Sequence, residues 1–175
     1  MRNRLRQEDG FGLIELLMAM IVLNLGILAV VAAFNSGIVT LRRSGMTSTA
    51  SVLADKQMEL YRSLTYGAIA LDSSSIPATA PYTTDSAYAA SQVTISCTTP
   101  IPAECNASRT LTGPDHHSYR LDTYIVNDHP VAASRAVRRV TVVVRDGQHL
   151  GKVLARSTST FDCSTALPYG TCPTT

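Results

Sequence analysis

From Leu16 to Leu41 the chain runs without a charged residue, in a segment made mostly of Leu, Ile, Val, Met and Ala. A helix of about 20 such residues crosses the hydrocarbon core of a bilayer, so this segment is long enough to span one. The apolar core of a secretory signal is shorter, about 7–15 residues, and precedes its cleavage site. Ahead of the segment lies a polar leader, Met1–Gly10, with Arg2, Arg4 and Arg6. One carboxylate, Glu15, stands at the head of the apolar part. An acid at membrane depth costs roughly 2.5–3.5 kcal/mol, which makes a functional role the default reading. The simpler alternative is a glutamate favoured by the dipole near a helix N-terminus, its carboxylate reaching the headgroups.

The residues Gly10-Phe11-Gly12-Leu13-Ile14-Glu15 resemble the processing site of type IV prepilins and type II secretion pseudopilins. The resemblance extends from Gly10 to about Leu64 and is carried chiefly by Gly10–Glu15. Gly12 stands where the family more often has Thr or Ser, and no proline interrupts the chain before Pro77. The resemblance implies cleavage after Gly10 by a prepilin peptidase, N-methylation of Phe11, and retention of Glu15 in the bilayer as the assembly glutamate. Phe11 and Glu15 would lie about 6 Å apart along a helix axis. Glu15 of one subunit meeting the Phe11 ammonium of a neighbour would neutralise two buried charges and set the stagger between subunits. Removing one partner of such a pair costs roughly 3–5 kcal/mol.

Ala29, Ala33 and Gly37 recur every four residues and share one helix face. Small residues at that spacing let backbones approach closely, which makes them candidates for packing on a neighbouring helix; ordinary alanine content is the plainer account. Asn24 and Asn35 are polar interruptions that could bond across helices. Orientation is nearly balanced by charge, with Arg2, Arg4 and Arg6 on one side of the segment and Arg42 and Arg43 on the other. The cysteines decide it, because all of them follow the segment.

Cys97, Cys105, Cys163 and Cys172 are the four cysteines. None has zinc-type spacing, and His116, His117, His129 and His149 complete no ligand set, so no metal site is expected. Four cysteines beyond a membrane anchor read as two disulfides in an oxidising compartment. Of the three connectivities, the local pairs Cys97–Cys105 and Cys163–Cys172 are favoured, since each closes a loop rich in Pro or Gly. The second pair resembles the cysteine-closed C-terminal loop of many pilins.

The apolar segment is followed by a one-sided stripe, Met46, Ala50, Leu53, Gln57, Leu60 and Leu64. A single long helix is therefore expected, its membrane or assembly half at 11–41 and its soluble half at 42–65; two helices broken at Ser44-Gly45 are the alternative. Residues 66–90 lose periodicity, and Asp72-Ser73-Ser74-Ser75, Pro77 and Pro81 mark a connector loop. In pilins the corresponding connector is variable and open to partners. Strands are expected at Gln92–Thr98, Tyr119–Val126, Val137–Arg145 and Leu150–Phe161, with a hairpin turn at Asp146-Gly147. The fold class is α+β, pilin-like: a long N-terminal helix, membrane-spanning in its first half, over a small antiparallel sheet in residues 91–175, with disulfide-closed loops.

No phosphate-binding loop, metalloprotease motif or nucleophile elbow is present. Asp115-His116-His117 and Asp128-His129 fall beside turns and read as solvated loops. Asn106-Ala107-Ser108 fits a glycosylation sequon of the kind that arises by chance. Arg135, Arg138, Arg139, Arg145, Lys152 and Arg156 could mark DNA contact, but strand alternation splits them and solvated strand edges are the simpler reading. The formal net charge of +2 adds no general signal for an acidic partner.

The expectation is a structural subunit, not an enzyme and without a cofactor: a minor pilin or minor pseudopilin. Its partners would be other pilin or pseudopilin subunits, the prepilin peptidase and methylase, and inner-membrane lipid before assembly. It would be single-pass in the bacterial cytoplasmic membrane with an extracytoplasmic C-terminal domain, then part of a pilus or periplasmic filament. The alternative is an anchored receptor whose ectodomain binds a ligand and never polymerises.

Overall fold

A computed structural model describes residues 12–128 and 137–163. Two compact units divide the chain, residues 1–44 and residues 45–175.

The first unit holds the apolar part of helix α1, Leu13–Arg62. Leu, Met and Ala favour helix, and no proline interrupts it. The helix is uninterrupted at Ser44-Gly45, so the two-helix alternative does not apply. It ends at Arg62, slightly short of the expected residue 65. Ser63 N–H donates to the carbonyls of Glu59 and Leu60, and Leu64 N–H to that of Tyr61. These tightened turns close the helix.

The second unit is built on a four-stranded antiparallel sheet: β3 Ser108–Thr112, β4 Ser118–Asp128, β5 Val137–Asp146 and β6 Val153–Asp162, adjacent in that order. A separate parallel pair joins β1 Leu71–Asp72 to β2 Thr94–Ile95. The strand expected at Gln92–Thr98 is thus shorter than its alternation suggests: Gln92 makes an isolated antiparallel bridge to Val126 of β4, and only Thr94–Ile95 forms a strand, outside the main sheet. Its end is pulled aside by the Cys97–Cys105 disulfide. In addition, the Cys97 N–H donates to Asp72 Oδ2 at 2.9 Å. Strand β3 goes unsignalled in the sequence, because Ser-Arg-Thr-Leu-Thr carries little apolar alternation.

Ala50, Ala54, Gln57, Met58 and Tyr61 form the buried face of α1. They share one core with Tyr119, Leu121, Ile125, Val140, Val142 and Val144. By register these six sheet residues lie on one face. The helix face is centred about one position from the expected stripe: Ala50 and Gln57 are buried, whereas Met46, Leu53, Leu60 and Leu64 are only half-buried. Gln57 Nε2 donates to the Ala103 carbonyl at 3.0 Å and Tyr61 Oη to that of Glu104 at 2.7 Å. The disulfide loop is thereby docked on the helix.

The opposite face of the sheet is covered as well, by the connector. Tyr82, wholly buried, stacks on Tyr124 with centroids 4.4 Å apart and donates to the Thr123 carbonyl at 2.7 Å. Tyr124 Oη donates in return to the Tyr82 carbonyl. Further along, Asp85 accepts from both Arg145 and Arg156. Arg145 Nε also donates to Asp122 Oδ2 at 3.0 Å, and Asp122 Oδ1 accepts from Arg120 Nε and Ser108 Oγ. The connector around Tyr82 and Asp85 therefore packs on this face of the sheet as a second layer. At the β5–β6 turn a Cβ on Gly147 would fall 2.6 Å from the Ser118 carbonyl oxygen. Only glycine fits that approach.

Arg145, Asp85 and Asp122 have side chains 4%, 3% and 0% exposed. Replacing Arg145 by Met removes one cation from each of two buried carboxylates, leaving Asp85 to Arg156 and Asp122 to Arg120, and should cost about 2–3 kcal/mol in urea unfolding. Arg139 pairs with Asp128 at the surface, and Arg139→Met should cost less than about 1 kcal/mol.

Candidate functional site

Gly10 and Phe11 lie outside the described residues. The described chain enters α1 at Leu13, with Glu15 in the first turn. The N–H groups of Glu15 and Leu16 donate to the Gly12 carbonyl at 3.0 and 3.2 Å. Glu15 is exposed, and among the described residues no cation pairs with it. The helix dipole favours the anion there, without neutralising it.

Every residue from Leu13 to Leu41 is exposed. Its large apolar side chains range from 48% exposed at Leu17 to 78% at Leu13. Uncovered apolar surface of that extent marks a membrane or protein contact. By length and composition α1 is apolar enough to cross a membrane. Ala33 and Gly37, with Val30, Phe34, Ile38 and Leu41, line a shallow apolar hollow on its side. Ala29 lies one turn away, outside that lining. A Cβ on Gly26 or Gly37 would meet nothing within 4 Å, so no crowding within the chain demands glycine at either position.

The remaining candidates lie in the second unit. Cys97 bonds to Cys105, and Cys163 is also disulfide-bonded. Cys172 lies outside the described residues, so the expected Cys163–Cys172 pair is not described. Asp128 pairs with Arg139 at 3.1 Å, and His129 lies outside the described residues. His117 Nε2 sits 3.1 Å from Asp146 Oδ1, His149 Nδ1 and Lys152 Nζ lie 3.6 and 3.9 Å from Asp146 Oδ2, and Tyr119 donates to Asp115. These contacts join the β3–β4 and β5–β6 turns. The Asp115 and His117 side chains are therefore engaged, not simply solvated. Among the described residues no group of three or more His, Cys, Asp or Glu is arranged to hold a metal ion.

The basic residues form no single open face among those described. Arg138 donates to the carbonyls of Tyr66, Gly67 and Ile69 and lies 4.5 Å over the Tyr66 ring. Arg145 is buried and Arg156 binds Asp85. Arg138 and Arg145 thus depart from the simpler expectation of solvated strand edges, whereas Arg139, Lys152 and Arg156 are exposed as it has them. Arg135 lies outside the described residues. The acids that absorb these cations, Asp85 and Asp122, gave no motif; Asp122 at an inward-alternating strand position was the one available hint.

Several carboxyls sit below the usual range. Burial works to raise Asp146 and Asp85, but hydrogen bonds from Gln148 N–H and His117 to the first, and from Ala87 N–H and Arg156 to the second, outweigh it. Asp72 is lowered chiefly by the Ser74 hydroxyl and Asp115 by Tyr119. A carboxyl depressed in the folded state contributes stability that is complete above its unfolded pKa and lost as pH falls through the folded one. Unfolding midpoints should therefore stay flat down to about pH 4.5 and drop progressively below about pH 4. The apolar segment predicts a second outcome: the full chain should resist alkaline extraction from membranes, and a chain starting at Arg42 should be released. Comparison with protein-family models, curated proteins and solved structures finds no match.

Proposed function

We propose that this chain is a structural filament subunit, a minor pilin or minor pseudopilin, cleaved after Gly10 and assembled through its N-terminal helix. The observation that carries the reading is the exposed apolar helix of residues 13–41 headed by the single carboxylate Glu15. In hydrocarbon that carboxylate needs a cation, and the amine released at Phe11 of a neighbouring subunit is one at matching depth. The resemblance of Gly10–Glu15 to a prepilin processing site and the α+β arrangement, a long helix over a small antiparallel sheet, support the same reading. Before assembly the helix would anchor the subunit in the cytoplasmic membrane; afterwards it would lie in a filament core, with the sheet unit outside. Subunits, the processing peptidase and lipid are the partners this implies.

Intact mass and N-terminal sequence of the protein from its native membrane should show loss of Met1–Gly10 and a methylated Phe11. Gly10→Val should keep the leader. Glu15→Val should insert and fold normally yet leave sheared filaments depleted in this subunit by about 100-fold, as expected for an unpaired buried charge. A wild-type yield of Glu15→Val in filaments would refute the charge pairing.

A further inference from the structure

Asn24 and Asn35 are exposed on α1, and neither carboxamide has a partner among the described residues. They are separated by eleven residues, close to three turns, so they project within about 20° of each other and about 16.5 Å apart along the axis. Asn24 is nine residues from Glu15, which at about 100° per residue puts it on the opposite side of the helix. The same arithmetic places Gly26, Ala29, Ala33 and Gly37 on the Glu15 side. Two different surfaces therefore run along one helix.

The asparagine side has its own periodicity. Leu17, Ile21, Asn24, Leu28, Val31, Asn35 and Ile38 follow alternating steps of four and three. That spacing is a heptad seam, the pattern of two helices winding around each other with left-handed crossing. A polar Asn within such a seam selects register, because a carboxamide is both donor and acceptor and pairs best with its own kind at the same level. In lipid no water competes for it.

We infer that this seam pairs two copies of the chain, parallel and in register, with Asn24 meeting Asn24 and Asn35 meeting Asn35. A second copy is the occupant because it presents the same amides at the same two depths in the same orientation. The inference rests on the reading of residues 11–41 as membrane-spanning. It adds a contact distinct from the Glu15 side, which stays free for the staggered neighbour. The subunit would thus enter assembly as a pair.

Thiol cross-linking of the full chain in its native membrane tests this, since no described cysteine is free. Leu28→Cys, on the seam, should give a species of twice the subunit mass, and Gly26→Cys, on the other side, should not. In the Leu28→Cys background, Asn24→Leu with Asn35→Leu should lower the dimer yield by roughly fivefold or more. Asn24→Gln with Asn35→Gln should retain most of it. Unchanged yield in the double leucine variant, equal cross-linking from both sides, or a cross-link only to another chain would each overturn the inference. An uncleaved leader with the Leu28→Cys dimer intact would sink the filament reading alone; a cleaved leader without the dimer would sink the pairing alone.

Discussion

The apolar surface of residues 13–41 is the constraint from which the rest follows. In water each Leu, Ile, Val or Phe left uncovered forgoes about 1.5–3 kcal/mol of burial, and this segment exposes such side chains along its whole length. Lipid or neighbouring helices must supply the cover. Once the segment is in lipid, apolar burial no longer distinguishes one helix contact from another. The few groups that differ from lipid, namely Glu15, Asn24, Asn35 and the small residues, then decide which helix faces meet. Those groups lie on two opposing sides of α1, so one helix presents two distinct surfaces.

The sheet unit solves a different problem. Strands β4 and β5 are buried on both faces, one under α1 and the other under the connector. The connector is rich in Ser, Thr, Ala and Pro, and of its few large apolar side chains Ile69, Leu71 and Tyr82 join the core. It is held as well by two tyrosines packed ring on ring and by Asp85 bridging Arg145 and Arg156. Buried ion pairs add little net stability but penalise misplacement strongly. Their effect here is to hold the connector in one register over the sheet and to keep Arg145 inside. Of the basic residues on β5 and β6, Arg145 serves the interior, while Arg139 and Arg156 stay exposed.

Much of the architecture was legible because it repeats. The apolar run, the stripe from Met46 to Leu64, the Val140-Val142-Val144 alternation and the Asp146-Gly147 turn are each local patterns with a single structural meaning, and the long helix, the β5–β6 hairpin and the α+β class follow from them. The Gln92–Thr98 alternation misled because a tether to Asp72 and the Cys97–Cys105 bond act across the sequence and outweigh local propensity. Strand β3 escaped because edge strands need little apolar content. The connector's burial was invisible because polar composition does not reveal which aspartate finds an arginine sixty positions away.

By itself the sequence determined the span-length helix, the lone carboxylate at its head and the disposition of small and amide side chains around it, since helical spacing follows from residue number alone. It determined too that the cysteines follow the helix. Only the tertiary structure decided which face of the second half of α1 is buried, that the sheet is covered on both sides, and that Arg145 lies inside. Those outcomes depend on contacts between residues distant in the chain, where shape and charge must be matched together in space and no periodic pattern records the match.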